Sequence, residues 1–178
     1  MVLLGVLLYA LLRRRDDSPD GELALLGGGE TLLSRLGAAV SSSTWQLPAA
    51  GDPYREAIEA AEIAYAIPRN QLARQLDIES DHFNPDVIAG RRLSRSGAIG
   101  IGQFMPATAA ERGLDPTDPF ASIDAAAAYM RELYDKFGTW EAALAAYNWG
   151  QGNVARKGLS AAPAETRTYV ATILEAVA

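Results

Sequence analysis

The chain has 178 residues, 49% of them apolar and 21% charged, with a formal net charge of −6. That is enough for one domain with a real core, too apolar for a disordered chain, and too acidic for nucleic acid to be the main partner. There is no cysteine and a single histidine, His82, which excludes disulfide frameworks, thiolate nucleophiles and nearly all histidine-based triads, and leaves any metal site to carboxylates alone; no metal or cofactor is expected.

Residues 1–15 form the first segment. Val2 to Leu12 is almost wholly apolar and Arg13, Arg14 and Arg15 follow it. Eleven helical residues would span about 16 Å, short of a hydrocarbon core of about 30 Å. A secretory signal would carry its charges before the apolar run and a small-residue cleavage site after it. The segment is compatible with a short membrane anchor, an interfacial helix or a helix that docks on a partner. Residues 16–50 are rich in Gly, Ser, Leu and Ala, with Gly27–Gly29 and Ser41–Ser43 as joints around one helix near residues 30–40, and read as a tether.

From residue 51 to 178 the chain reads as helices. Asp52-Pro53 predicts a capped helix opening, followed by Ala57, Ile58, Ala61 and Ala64 at helical spacing. Pro68 is expected to open a second helix carrying Leu72, Leu76 and Glu79. Asp118-Pro119 opens a long one through Ile123, Ala127, Met130, Leu133 and Phe137, which Gly138 stops. Thr139 can cap the helix containing Ala142 to Tyr147, and a last helix runs from about Glu165 to Val177. Only Ala98 to Phe104, among glycines, looks partly extended. The sum is an all-α domain of about six helices with at most one small β-hairpin.

At 100° per residue Leu72, Leu76 and Glu79 share one helix face, so Glu79 points where the core leucines point. A carboxylate among apolar neighbours loses hydration and its pKa rises, which suits it to donate a proton near neutrality. The spacing alone leaves a second reading open, in which Glu79 is solvated at a frayed helix end or pairs with an arginine.

Ile78-Glu79-Ser80, Phe83-Asn84-Pro85, the run Ser94 to Ala109, Ala143 to Asn148, Gly150-x-Gly152-Asn153-Val154 and Glu165-Thr166-Arg167 with Tyr169-Val170 resemble, in order, the soluble lytic transglycosylases. The resemblance implies a lysozyme-like helical fold with a glycan groove, and an enzyme acting on the glycan strands of peptidoglycan. It implies Glu79 as the only catalytic carboxylate, with Ser94, Gln103, Met105, Tyr147, Asn148, Glu165 and Tyr169 lining the groove or orienting the acid. Read without the family, each has a plainer role: Gln103 satisfying a glycine-rich turn, Met105 filling the core, Tyr147 packing as a core aromatic, Glu165 and Tyr169 capping or packing the last helix. His82 reads as an exposed loop residue.

The chain departs from the pattern in places. Extra residues Ile88 to Leu93 bring a basic cluster of Arg91, Arg92 and Arg95, either a solvated loop or a contact for peptide-stem carboxylates. Trp149 and Gln151 replace a usual alanine and proline, with Trp149 read as an exposed stacking surface, and Gly102 stands where methionine is common. A muramidase would need a second carboxylate, for which Asp81 or Asp86 are the candidates; a glycan-binding module without activity is the non-enzyme alternative. The resemblance implies a cell-wall-facing place and does not choose between a phage virion and the periplasm; the tether, the terminal apolar segment and the single compact domain slightly favour the virion, with residues 1–15 as the contact for a membrane or virion protein.

Overall fold

A computed structural model of the chain describes residues 45–177. The apolar segment, most of the tether and the helix expected near residues 30–40 lie outside the described residues. Among those described there are eight α-helices and two 3-10 turns, with no strand beyond an isolated bridge. The helices are α1 (Arg55–Ala64), α2 (Gln71–Glu79), α3 (Pro85–Ile88), α4 (Pro106–Glu111), α5 (Pro119–Phe137), α6 (Trp140–Trp149), α7 (Gln151–Lys157) and α8 (Ala164–Glu175). The domain is all-α, as expected; the count exceeds six because α3, α4 and α7 are too short to show a periodic stripe.

Two expected helix openings are corrected. Asp52-Pro53 lies inside a 3-10 turn over Ala49–Tyr54, and the Asp52 carboxylate takes the Arg55 guanidinium instead of capping. The second helix begins at Gln71 rather than Pro68, after Asn70 in the left-handed region at φ 68°. Its orphan N–H groups find an acceptor on another helix: the buried Glu62 carboxylate of α1 accepts from Asn70 (3.0 Å), Leu72 (3.0 Å) and Ala73 (3.2 Å). The later caps form as read. Asp118 accepts from Phe120 and Ala121, Gly138 closes α5 at φ 80°, and the Thr139 hydroxyl accepts from Ala142.

The long α5 packs against α1 and α6, and α8 packs against α6 and α2. Their shared interior holds Leu72, Leu76, Ile123, Met130, Leu133, Leu144 and Ile173, each no more than 1% exposed. Ala142 to Ala146 of α6 are all buried, since short side chains let this helix sit between α5 and α8. Trp45 and Leu47 also pack against this core.

The hairpin expected over 98–104 reduces to one antiparallel bridge, Ile99 to Phe104, with both hydrogen bonds at 3.0 Å. Gly100 is required there: its φ is +80°, and a Cβ would stand 1.8 Å from the Pro116 carbonyl oxygen. Gly102 is required for space, because a Cβ would come 2.8 Å from the Phe104 ring. No helix among the described residues is long and apolar enough to cross a membrane.

Candidate active site

Helix α2 delivers Glu79 on its last turn, on the face of Leu72 and Leu76. The chain then turns sharply. Ser80, fully buried, donates its hydroxyl to the Leu76 carbonyl (2.6 Å) and accepts from the Phe83 N–H (2.9 Å). Asp81, His82 and Phe83 are all left-handed, at φ 52°, 61° and 56°. Three such non-glycine residues in a row store strain. They are held by Ser80, by the His82 N–H on the Asp77 carbonyl (2.7 Å), and by the buried Phe83 ring stacked on Tyr54 at 6.0 Å. The turn fixes the end of α2 and therefore the direction of Glu79.

Glu79 is half-buried: its residue keeps a solvent-facing side while protein surrounds its carboxyl. Burial pushes its pKa from the ordinary 4.5 to about 7, against the single hydrogen bond that opposes the rise, from the Tyr169 hydroxyl to Oε1 at 2.7 Å. Its place at a helix C-terminus, where carbonyl oxygens converge, disfavours the anion further. The partner is thus a phenol on α8, not an arginine, and the reading of a solvated or guanidinium-paired Glu79 is corrected.

Tyr147 stands within electrostatic reach of Glu79, and burial together with that charge raises its pKa well above the ordinary phenol value. Its hydroxyl donates to the Gly102 carbonyl at 2.6 Å, and its ring packs on Tyr129 and Phe104 at centroid distances of 5.4 and 6.4 Å. Burial likewise raises Tyr169 well above the usual range. Both phenols therefore remain neutral donors at neutral pH. The structure brings together Glu79, Tyr169 and Tyr147, from three separate helices.

The other named residues serve different local ends. Ser94 Oγ accepts from the Ala98 N–H (2.8 Å) and pairs with Ser96 (3.0 Å). Gln103, left-handed at φ 49°, donates Nε2 to the Gly100 carbonyl (2.8 Å), the turn-satisfying role. Met105 is 42% exposed, which overturns its reading as core filler. Asn148 Oδ1 accepts from the Thr166 hydroxyl at 2.8 Å, tying α6 to α8. Glu165 is exposed in the first turn of α8. Trp149 is half-buried with the Lys157 ammonium 5.2 Å from its ring centre, not the open stacking surface expected.

Two of the three loop arginines are engaged: Arg91 pairs with Asp86 (2.6 Å) and Arg92 with Asp81. Both partner carboxylates are exposed, and the Arg92 hydrogen bond and charge hold Asp81 below the usual carboxylate range. His82 is exposed as read, yet its Nδ1 lies 3.1 Å from the buried Asp77 carboxylate, which also binds Arg74 at 2.5 Å. Among the described residues no group of three or more His, Asp or Glu is placed to hold a metal ion.

Three residues were not singled out from the sequence: Ser80, Gln75 and Glu62. Gln71 and Gln75, on the α2 face that carries Glu79, are fully buried with amides lacking a hydrogen-bond partner. Cavities of about 230 Å³ and 340 Å³ open elsewhere, one beside Glu59, Glu62 and Ile67, the other between α6 and α8 at Ala145, Leu159 and Val170. Neither is lined by Glu79, and Glu62, which lines the first, is already saturated by backbone donors.

A family model described as the Transglycosylase SLT domain matches residues 56–170. Over 121 residues the chain is 35% identical to a protein of Enterobacteria phage PRD1 named "Transglycosylase", an alignment covering 67% of this chain and 41% of that relative. The chain therefore spans less than half the length of that relative.

Proposed function

Since the chain belongs to the transglycosylase SLT family, we propose that it is a peptidoglycan lytic transglycosylase. It cleaves the β-1,4 bond between N-acetylmuramic acid and N-acetylglucosamine and leaves a 1,6-anhydromuramoyl end. The observation that carries this reading is a half-buried glutamic acid with a pKa of about 7, steadied by a phenol.

The chemistry follows from that group. Protonated Glu79 gives its proton to the bridging oxygen, the bond to C1 breaks, and the N-acetylglucosamine side leaves as an alcohol. Positive charge develops at the muramoyl C1, where the sugar's own N-acetyl oxygen steadies it. The Glu79 carboxylate, held by the Tyr169 hydroxyl, then takes the proton of the C6 hydroxyl as that oxygen closes on C1. Glu79 ends protonated and no water is consumed. Because the nucleophile belongs to the same sugar, its effective concentration far exceeds that of a free alcohol. Tyr147, pinned to Gly102, walls the site and excludes competing water. Ser94 and Gln103 shape the turn beside that wall, while Met105, Asn148 and Glu165 offer exposed groups to the glycan.

A hydrolysing muramidase is the second reading, and it needs a second free carboxylate. Asp81 and Asp86 are exposed and tied to Arg92 and Arg91, which favours the single-carboxylate route. Mass spectrometry of digested peptidoglycan decides between the two: the anhydro product is one water lighter than the hydrolysed one. A digest yielding only reducing-end muramic acid overturns the proposal.

The phage relative favours a virion protein that opens the wall locally during genome entry, over a periplasmic enzyme. Residues 1–15 would supply the contact to a membrane or virion protein. Detecting the chain in purified particles supports that placement; its absence from them returns it to the periplasm.

A further inference from the structure

We propose that Gln75 is a positioning residue of this site: its buried carboxamide, one helical turn before Glu79 on α2, braces the Tyr169 hydroxyl that donates to Glu79. The inference rests on Glu79 being the acid.

Gln75 is 0% exposed, and neither Nε2 nor Oε1 has a hydrogen-bond partner. A buried amide without a partner is costly, and a core otherwise built of Leu72, Leu76 and Ile173 has an apolar solution for the position. Helix spacing sets the side chains of residues 75 and 79 on one face; α2 packs against α8, and Glu79 on that face takes the Tyr169 hydroxyl of α8. Burial draws the Tyr169 pKa up and the Gln75 amide draws it down, which is the direction a donor near the phenol oxygen gives. A hydroxyl whose oxygen is polarised in this way donates more strongly. The chain of influence runs from the Gln75 amide through Tyr169 to Glu79 Oε1. Gln71, equally buried and unpartnered one turn earlier, extends the polar row away from the site.

The groups that face Glu79 are Tyr169 from α8 and Tyr147 from α6, with Tyr129 of α5 and Arg112 acting on Tyr147 behind them. Burial and the Tyr169 hydroxyl set the Glu79 pKa with no contribution from Gln75, so the path from Gln75 to the carboxyl runs through the phenol.

The test is the pH profile of glycan cleavage for full-length Gln75→Leu, Gln75→Met, Tyr169→Phe and the Gln75→Leu/Tyr169→Phe double variant. Loss of the brace leaves the ionised carboxylate less stabilised, so Glu79 keeps its proton to higher pH. Gln75→Leu and Gln75→Met should each move the alkaline limb upward, by less than Tyr169→Phe does, and the double variant should overlay Tyr169→Phe. The proposal is overturned if the folded Gln75 variants keep the unaltered profile, or if the double variant adds the two shifts. It is also overturned if both Gln75 variants lose the fold, which would make the residue part of the core alone. Glu79→Gln run alongside separates the failures: an active Glu79→Gln protein removes the acid itself, whereas an inactive one with unshifted Gln75 variants removes only the brace.

Discussion

Helix α2 has a buried glutamate at each end, and the two have opposite fates. At its start Glu62, reaching across from α1, is 4% exposed and accepts three backbone N–H groups. At its finish Glu79 is open on one side and accepts one phenol. Burial raises the pKa of both. The difference lies in what opposes it: orphan amides at a helix N-terminus welcome an anion, while the carbonyl-rich C-terminus repels one. The same residue type serves architecture at one end and, in the proposed function, proton transfer at the other.

The comparison breaks first, and most visibly, at Glu79. Glu79→Gln is expected to lower glycan cleavage by about 10³-fold or more with circular dichroism unaltered; near-full lysis on a zymogram would show that the two glutamates do not differ as argued. Glu62→Ala should do the reverse. It strips the acceptor from the α2 start, costs about 3 kcal/mol of stability in a denaturant melt, and leaves activity per folded molecule little altered.

The pH dependence of stability sharpens the contrast. Glu79 titrates above its ordinary value, so between about 4.5 and 7 the folded chain holds more protons than the unfolded one. The stability this group contributes is full below 4.5 and lost as pH rises through about 7. Glu79→Gln should therefore match the parent at low pH and exceed it above neutrality, by at most about 3 kcal/mol. Melts that stay parallel across that range would show the carboxyl to be better hydrated than its surroundings imply. The smallest effects are expected at Asp81→Asn and Asp86→Asn: cleavage within about threefold of the parent, the anhydro product retained, and the exposed pairs with Arg92 and Arg91 lost with little change in stability. A switch to hydrolysed product would instead give one of them the second-carboxylate role.

Much of this was legible along the chain and some was not, for reasons that differ by residue. Glu79 could be found because its face is set by local spacing from Leu72 and Leu76; the same rule places Gln75 on that face, but nothing in the sequence sets it apart from any other helix glutamine. The caps at Asp118 and Thr139 act within three residues of themselves and were readable. Glu62 was not: its amides lie 8 to 11 residues away on another helix, a distance no capping motif spans. The left-handed run at Asp81 to Phe83 has no glycine to announce it and persists only through Ser80 and the packing of Phe83. Whether the Arg91 and Arg92 charges were free depended on Asp86 and Asp81 folding back on them, which is a tertiary matter.

Gly102 carries a last consequence. Its backbone is not left-handed, so conformation would admit any side chain; the Phe104 ring occupies the volume such a side chain would need, and the Tyr147 hydroxyl closes the remainder at 3.4 Å. Positions 102 and 104 thus behave as a single lock with two tumblers. A library that randomises residue 102 alone should return glycine, whereas one that varies 102 and 104 jointly should recover bulky–small pairs in exchange for small–bulky ones, and with them a differently contoured floor under the tyrosine.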